Sequence, residues 1–245
     1  MYRQRQVFRS REARVDWQAL RLSIQLALAT TFLLLLIGLP LAYWLATFRT
    51  KNKVIMGYFM NFIEVIVSLP LVLPPTVIGF YVLSAIGPQS IVGHFYETLT
   101  GGLLPFSFTG LLIGSCLCSL PFAVQPFLAA FRSLDQRFME ASWCLGVSRS
   151  ETFFRLVLPL CRHGIVTGMI LSFAHTLGEF GVVLMIGGNI DGVTRTVSVS
   201  IFDDVQALNY LAAEEMSLIL LLISFMVLSA VNFVQKNSLR PWQQN

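Results

Sequence analysis

The stretch of sequence that decides the fold is residues 140–159, EASWCLGVSRSETFFRLVLP, a polar island in an otherwise apolar chain. Its charged residues are Glu140, Arg149, Glu151 and Arg155. Residues 98–131, shortly before it, contain no Asp, Glu, Lys or Arg. Because such a run is apolar enough to cross a bilayer, we predict that the island is a loop in water between two membrane spans.

Composition indicates a membrane protein over the whole length. Of the 245 residues, 55% are hydrophobic and only 12% are charged, whereas a soluble domain carries about 25% charged residues. We predict five transmembrane helices, because a span needs roughly 20 apolar residues and a helix satisfies its own backbone hydrogen bonds in lipid. Their approximate positions are residues 20–47, 56–86, 105–132, 164–187 and 216–235. The predicted fold class is all-α.

A single membrane domain is expected, since no repeat, low-complexity tract or linker divides the chain. Its predicted bounds are residues 17–236, preceded by a basic tail at 1–16 and followed by a C-terminal tail at 237–245, with the polar loop at about 135–160. Membrane lipid is the expected surrounding, and no nucleic-acid partner is expected.

Positive charge predicts the orientation, because Lys and Arg favour cytoplasmic loops. Apart from Arg195, the basic residues after the first span are Arg49, Lys51, Lys53, Arg132, Arg137, Arg149, Arg155, Arg162, Lys236 and Arg240. Loop 87–102 has none, and loop 188–213 has only Arg195, which we expect to be solvated or to pair with a docked protein. This pattern places loop 135–160 and the C-terminus in the cytoplasm and the N-terminus outside.

The N-terminal tail contradicts this orientation. It contains Arg3, Arg5, Arg9, Arg11 and Arg14, and Arg21 follows at the start of the first span. The same rule would place these charges inside. Three later loops carry more weight than one tail, so we keep the N-terminus outside. A tail that lies along a membrane surface is the alternative.

Two short helices joined by a glycine are predicted within residues 135–160. Gly146 adopts positive φ at little cost, so the chain can reverse between residues 140–145 and residues 148–158. Glu140 is expected near the start of the first helix, where a carboxylate favours the positive end of the helix dipole.

The second short helix carries its own boundary signals. Ser148 is a predicted N-cap, and Glu151 three residues later completes a capping box. Pro159 is expected to end the helix.

The spacing of the island resembles the cytoplasmic EAA loop of ABC-importer permeases. The matching residues are Glu140, Ala141, Ser142, Gly146, Leu156, Leu158 and Pro159. In that family the loop forms a coupling helix that sits in a cleft of a separate ATPase. The resemblance implies the type I ABC importer permease fold, with an ATPase docked at these residues. An amphipathic hairpin that binds nothing is the alternative, and Ser142 departs from the family's second alanine.

A proline cluster inside the second predicted span is a candidate for the translocation pathway or gate. Pro70, Pro74 and Pro75 break the helical hydrogen-bond ladder just before Thr76. In lipid such a break is tolerated where neighbouring helices or a water-filled cavity satisfy the freed groups. A structural kink and a pathway lining are both open interpretations.

The fourth predicted span carries a second candidate group, His175, Gly178 and Glu179. A charge near the bilayer centre costs about 2.5–3.5 kcal/mol, so Glu179 is expected to face the protein interior or a partner. His175 lies four residues earlier, on the same helical face. A His–Glu hydrogen bond that locks packing is one interpretation, and a gate is the other.

The segment LGEFG, residues 177–181, also resembles the oxyanion branch of these permeases, which carry molybdate, tungstate, sulfate or thiosulfate. Residues 69–79, 188–196 and 203–207 are similar to the molybdate type. The resemblance implies translocation of molybdate or tungstate by alternating access, and a sulfate or thiosulfate permease is the alternative. His175 stands where such relatives commonly have arginine.

The same resemblance implies the partners and the location. They are a cytoplasmic ABC ATPase, a periplasmic or surface oxyanion-binding protein, and a second copy of the permease in the bacterial inner membrane; sulfate systems often pair two different permeases. The chain has no G-x-x-x-x-G-K-[ST] phosphate loop. ATP and Mg are therefore expected on the partner ATPase, and no cofactor is expected on this chain.

Two other classes of function compete with a permease. An intramembrane enzyme would need convergent reactive groups, but His175 and Glu179 are the only such pair well inside a span, so no catalytic residue is predicted. A stand-alone channel would have no need of the polar island. The four cysteines lack the convergent ligand spacing of a metal site, so none is predicted at Cys116, Cys118, Cys144 and Cys161.

Overall fold

The structure, a computed structural model, describes residues 15–47 and 53–239. Most of the basic N-terminal tail, residues 48–52 of the first predicted cytoplasmic loop and residues 240–245 lie outside these ranges. The predicted side of the membrane for the N-terminal tail therefore stays a prediction.

Every regular element in the described ranges is helical, as the composition predicted. The α-helices are α1 (Trp17–Thr47), α2 (Lys53–Ser68), α3 (Pro75–Ile86), α4 (Ile91–Thr100), α5 (Phe108–Ser133), α6 (Gln136–Cys144), α7 (Arg149–Thr152), α8 (Leu158–Leu160), α9 (Arg162–Gly178), α10 (Gly181–Gly187), α11 (Val197–Gln206) and α12 (Tyr210–Leu239). A 3₁₀ turn, Leu69–Leu71, follows α2, and a π-helical turn, Phe153–Val157, joins α7 to α8.

Three unbroken helices, α1, α5 and α12, are long and apolar enough to cross a membrane. Two further candidates are bent pairs. One joins Gly57–Leu71 to α3, and the other joins Arg149–Leu160 to α9 at an angle of 72°. The described helices thus offer three crossings, or five if each bent pair crosses once.

The proline-rich segment breaks the second predicted span, as expected. Helix α2 ends at Ser68, the 3₁₀ turn follows, and α3 begins at Pro75. Proline lacks the N–H that an α-helix interior needs, so the ladder stops before Pro74. At the start of α3 the missing donor costs nothing, because the first N–H groups of a helix have no partner within it.

The fourth predicted span is not one continuous helix. Helix α9 ends at Gly178 and α10 begins at Gly181, so Glu179 and Phe180 lie in a break between them. Glycine is a poor residue for a helix interior, and two glycines flank this break. Glu179 therefore lies at a helix junction rather than within a helix that also carries His175.

The predicted outer loop after the second span contains a helix that sequence reasoning missed. Helix α4 starts after Ser90, whose Oγ accepts from the N–H of Gly93 at 2.9 Å, and ends at Gly101 with φ +70°. Ser at the N-cap and Gly past the C-terminus are typical helix boundaries. The Gly and Pro content of the segment had concealed them.

The chain divides into two compact units, each with its own core. The first contains the described residues up to 27 together with 75–115 and 176–226. Leu26, Leu111 and Val183 are buried together there. The second contains residues 28–74, 116–175 and the described residues from 227 onward, and its core is built around Phe127 and Val124.

Candidate coupling surface

The polar island forms a helical hairpin, as predicted, with α6 as one arm and α7, the π-helical turn and α8 as the other, but α6 starts earlier than expected. Asp135 caps it, and its Oδ1 accepts from the N–H of Arg137 at 3.0 Å. Glu140 is therefore the fifth residue of α6 and not in its first turn. The predicted interaction of Glu140 with the helix dipole is wrong for this reason, since that effect is confined to the first turn.

The turn between the two helices depends on Gly146, which has φ +79°. The N–H groups of Leu145, Gly146 and Val147 donate to the carbonyls of Ala141, Trp143 and Ser142 at 3.1, 3.0 and 3.2 Å. A Cβ at Gly146 would meet no atom within 4 Å. The glycine is thus needed for its left-handed backbone and not for space.

Ser148 caps α7, and its Oγ accepts from the N–H of Glu151 at 3.3 Å. Of the two hydrogen bonds of the predicted capping box, the one from the Glu151 N–H to the Ser148 hydroxyl is formed. The Glu151 carboxylate instead pairs with Arg155 of the next turn, at 3.0 Å.

Helical structure continues past the expected stop at Pro159. The π-helical turn Phe153–Val157 leads into α8, which ends at Leu160, and α9 begins at Arg162. Pro159 is tolerated because it lies in the first turn of α8, where its missing N–H is not required. The chain then bends at Cys161.

The inner side of the hairpin is fixed to the membrane helices of its own unit. Met139 and Val157 are buried in the same core as Phe131 of α5 and Ile165 of α9. Within the hairpin, the hydroxyls of Ser142 and Thr152 lie 2.9 Å apart. Displacement of the hairpin would therefore displace these helices with it.

The outer side of the hairpin is open. Leu145 is 82% exposed and Trp143 is 40% exposed, and the guanidinium carbon of Arg149 lies 5.3 Å from the centre of the Trp143 ring. Of the predicted coupling residues, Glu140, Ala141, Gly146 and Pro159 are exposed, whereas Ser142, Leu156 and Leu158 are half-buried. An exposed apolar tip of this kind is typical of a surface that another protein covers.

Two adjacent cavities of about 480 and 430 Å³ lie beside the hairpin. Both are lined by Tyr43 and Thr47 at the end of α1 and by Trp143 and Arg149 of the hairpin. Glu140 lines the larger one.

The pathway candidates lie at the two helix breaks. Pro74, Pro75 and Thr76 are exposed. Pro75 lies against Gly181, since a Cβ at Gly181 would come within 2.9 Å of the Cβ of Pro75. The start of α3 is thus in contact with the start of α10. Gly178 is exposed as well, and a Cβ there would meet no atom within 4 Å.

Glu179 is buried and His175 is half-buried. Glu179 is only 7% exposed. His175 stacks on Phe122 of α5, with ring centres 4.0 Å apart, and its Nδ1 lies 2.9 Å from the hydroxyl of the fully buried Ser119. His175 therefore helps to hold α9 against α5.

Arg195 is not the solvated arginine expected from the sequence. It forms ion pairs with Asp191 and with Asp203 of α11, the latter at 2.6 Å, and the amide of Asn189 also donates to Asp203, at 2.6 Å. Burial by itself lowers the pKa of Arg195, but the hydrogen bonds and charges of Asp203 and Asp191 outweigh it and raise the pKa above its ordinary value. Sequence reasoning missed Asn189 and Asp203 as partners, because eight residues or more separate each from the residue it contacts.

The fold defines the class of protein. It matches a chain of a bacterial alginate ABC transporter, with a TM-score of 0.69 and 16% identity over 92% of this chain and 79% of that one. It matches the MetNI methionine ABC transporter equally well, with a TM-score of 0.69 and 14% identity over 92% of this chain and 97% of that one. The fold is therefore that of a type I ABC importer permease.

The family follows from the sequence. The chain belongs to the family described as binding-protein-dependent transport system inner membrane component, whose model matches residues 38–240. It is a multi-pass inner-membrane permease subunit of a transport system.

Individual relatives refine this membership. The molybdenum transport system permease protein ModB of Azotobacter vinelandii is 48% identical over 216 residues, which are 88% of this chain and 92% of the relative. ModB of Escherichia coli K12 is 30% identical over 78% of this chain and 80% of its own length. The probable sulfate transport system permease protein cysT of Prototheca wickerhamii is 31% identical over 87% of this chain and 80% of its own length.

Proposed function

We propose that this chain is the permease subunit of an ATP-driven importer that carries molybdate, or tungstate, across the inner membrane by alternating access. The observation that carries the proposal is the 48% identity to a molybdenum permease over 88% of the chain. The sulfate-type relative is only 31% identical. A sulfate or thiosulfate cargo is therefore the weaker alternative.

The partner that supplies the energy is a separate cytoplasmic ABC ATPase, which holds ATP and Mg. The hairpin formed by the polar island is its docking site, with Glu140, Ala141, Ser142, Gly146, Leu156, Leu158 and Pro159 as the coupling residues. Two features support this. The hairpin presents an exposed apolar tip around Leu145, and its inner side is buried in the core of its unit through Met139 and Val157.

Coupling would then be mechanical. Closure of two ATPases on ATP moves the hairpin, and the contacts of Met139 and Val157 carry this movement to α5 and α9. The hydrogen bond between Ser142 and Thr152 keeps the two arms of the hairpin together. The hairpin thus transmits displacement instead of absorbing it.

The two helix breaks are the proposed gate. Pro74, Pro75 and Thr76 at the start of α3, and Gly178 and Glu179 before α10, are the residues that would change conformation, with His175 as a support on α9. Pro75 and Gly181 are in contact, so the two breaks would move together. Broken helices at membrane depth are tolerated where they line a cavity.

The remaining assembly follows the same scheme. Two copies of the permease and one external oxyanion-binding protein complete the importer, with the C-terminus and the hairpin in the cytoplasm and the N-terminus outside. The permease domain spans residues 17–236. The external protein provides selectivity, because the predicted spans carry no Lys or Arg away from their ends.

Uptake of labelled molybdate tests the proposal. The chain is expressed with its ATPase and binding protein in cells that lack their own high-affinity systems. We expect ATP-dependent uptake that excess tungstate blocks and excess sulfate does not.

Matched controls distinguish an ATP-driven importer from a channel, and a molybdate cargo from a sulfate cargo. A Walker-lysine variant of the ATPase should abolish uptake, and flux that persists without the ATPase would support a channel. Uptake blocked by sulfate would assign the cargo to the sulfate type. If a correctly inserted complex takes up no labelled molybdate, the molybdate proposal is overturned.

A further inference from the structure

Helix α4 is the one regular element that the structure describes in segment 87–105. Almost all of its apolar side chains are exposed. Ile91 is 91% exposed, Leu99 is 69% exposed and Phe95 is 65% exposed. Only Gly93 of this helix is buried. Such exposure on a ten-residue helix requires a covering surface other than this chain.

The apolar residues of α4 share one face. At about 100° per residue, Ile91, Val92, Phe95, Tyr96 and Leu99 fall within an arc of about 140°. Glu97 and His94 lie on the opposite side, and Thr98 borders the apolar arc next to Ile91. The pattern is typical of an amphipathic helix that lies at a boundary between an apolar and an aqueous medium.

The position of α4 is fixed at the end of a membrane helix. A Cβ at Gly93 would come within 2.0 Å of the carbonyl oxygen of Gly87 and 2.5 Å of that of Ile86. Helix α4 therefore rests on the end of α3 through a contact that only glycine permits. Ser90 strengthens the joint, since its hydroxyl donates to the Gly87 carbonyl at 2.7 Å and accepts from the Gly93 N–H.

Helix α3, which precedes α4, also exposes large apolar side chains. Phe80 and Tyr81 of α3 are 55% and 66% exposed, on a helix whose other face is buried against α10 through Gly79 and Val82. In a chain that spans a membrane, such an exposed apolar face contacts lipid.

We propose that α4 is an interfacial helix, whose Ile91, Phe95 and Leu99 insert into the outer leaflet while Glu97 faces water. Tyr96 is a side chain of the kind that concentrates at the membrane–water boundary, and Phe95 and Leu99 are of the kind that forms the apolar face of an interfacial helix. The segment 87–105 contains no Lys or Arg and only one acidic residue, Glu97, so insertion of the apolar face buries no charge. The helix anchors the outer end of α3, which follows the proline break.

Site-directed spin labelling of the assembled importer in liposomes tests this. The four native cysteines are replaced by alanine in a background that keeps its uptake, and Phe95→Cys and Leu99→Cys are labelled, with Glu97→Cys as the matched control on the same helix. Collision rates are measured with oxygen, which partitions into lipid, and with a water-soluble nickel chelate. We expect labels at 95 and 99 to collide severalfold more with oxygen than with nickel, and the label at 97 to show the reverse.

Each other outcome overturns the proposal. Equal access of nickel to all three labels would mean that α4 stands in water. Dipolar broadening between two labels at position 95 would mean that a second permease copy covers the apolar face of α4. The label at 95 could also lose its collisions with both oxygen and nickel only when the binding protein is added. That result would mean that the apolar face of α4 is a docking surface for that protein.

Discussion

Arg132 of α5 binds Glu64 of α2 through two parallel hydrogen bonds, with Nη1–Oε1 at 3.0 Å and Nη2–Oε2 at 2.8 Å. One turn further along α2, Ser68 accepts from the amide of Gln125 of α5 at 2.6 Å. Helix α2 is thus fixed to α5 at two levels directly before the proline break.

The ion pair should contribute little to the free energy of unfolding, but its paired hydrogen bonds should fix the position of α2 against α5. The Arg132 side chain is 50% exposed and that of Glu64 is 26% exposed, and pairs this accessible contribute about 0–1 kcal/mol. We expect Arg132→Lys, which cannot form the paired bonds, to reduce thermal stability slightly, and Arg132→Glu to reduce it more. The exchanged pair Glu64→Arg with Arg132→Glu should recover part of the loss. Thermal unfolding of the purified variants measures this, and strictly additive effects would refute the coupling.

Replacement of Gly146 should uncouple ATP hydrolysis from transport. Gly146→Val places a β-branched residue at φ +79°, where a non-glycine residue costs about 1–2 kcal/mol, so the turn should open while membrane insertion remains intact. Uptake should fall relative to ATPase activity, both measured in proteoliposomes. Gly146→Asn is the matched control, because Asn tolerates this conformation better, and it should keep more uptake. Full uptake with valine would rule out the hairpin as the coupling element.

The sequence was sufficient for features with local signals. Gly146, the Ser148 cap and the proline break before Pro75 each depend on the backbone preference of one or two residues, and each lies where predicted. Signals of this kind act within one turn of helix and need no knowledge of neighbours.

Features that depend on long-range packing were missed. The break at Glu179 was not predicted, because the apolar run continues through it. The pairing of Arg195 with Asp203 was missed too, since Arg195 lies in a loop and Asp203 lies eight residues later in α11. The position of α4 depends on the close approach of Gly93 to Gly87, which no periodicity reveals.

Gly79 should be far less tolerant of a methyl group than Gly57, although both lie inside helices. A Cβ at Gly79 would come within 2.8 Å of the Cβ of Met185, whereas one at Gly57 would meet nothing within 4 Å. We expect Gly79→Ala to destabilise the packing of α3 on α10 by about 1–3 kcal/mol, and Gly57→Ala to be neutral or slightly stabilising. Thermal unfolding in one detergent compares them. Equal unfolding temperatures would show that α3 and α10 are not closely packed.

Glu179→Gln should impair transport more than it impairs stability. Gln keeps the shape of the side chain and removes only its charge, at a site that is 7% exposed and lies between α9 and α10. If the carboxylate takes part in gating, uptake should fall while the unfolding temperature changes little. A parallel loss of both would assign Glu179 to packing alone. Wild-type uptake and stability would show that the charge is dispensable.

The Arg195 network should stabilise the segment 188–213 over the whole accessible alkaline range. Because Asp203 and Asp191 raise the pKa of Arg195 in the folded state, its contribution is fully present below the ordinary pKa of an arginine and is lost only as the pH rises through the higher folded value. Arg195→Gln should therefore lower stability by about 1 kcal/mol, and by the same amount at about pH 7 and pH 10. Asp203→Asn should cost more than Asp191→Asn, since Asp191 is 77% exposed and Asp203 is 32% exposed. If the stability difference between wild type and Arg195→Gln vanishes by about pH 10, the raised pKa is contradicted. Equal losses of stability in Asp203→Asn and Asp191→Asn would show that burial does not determine which aspartate contributes more.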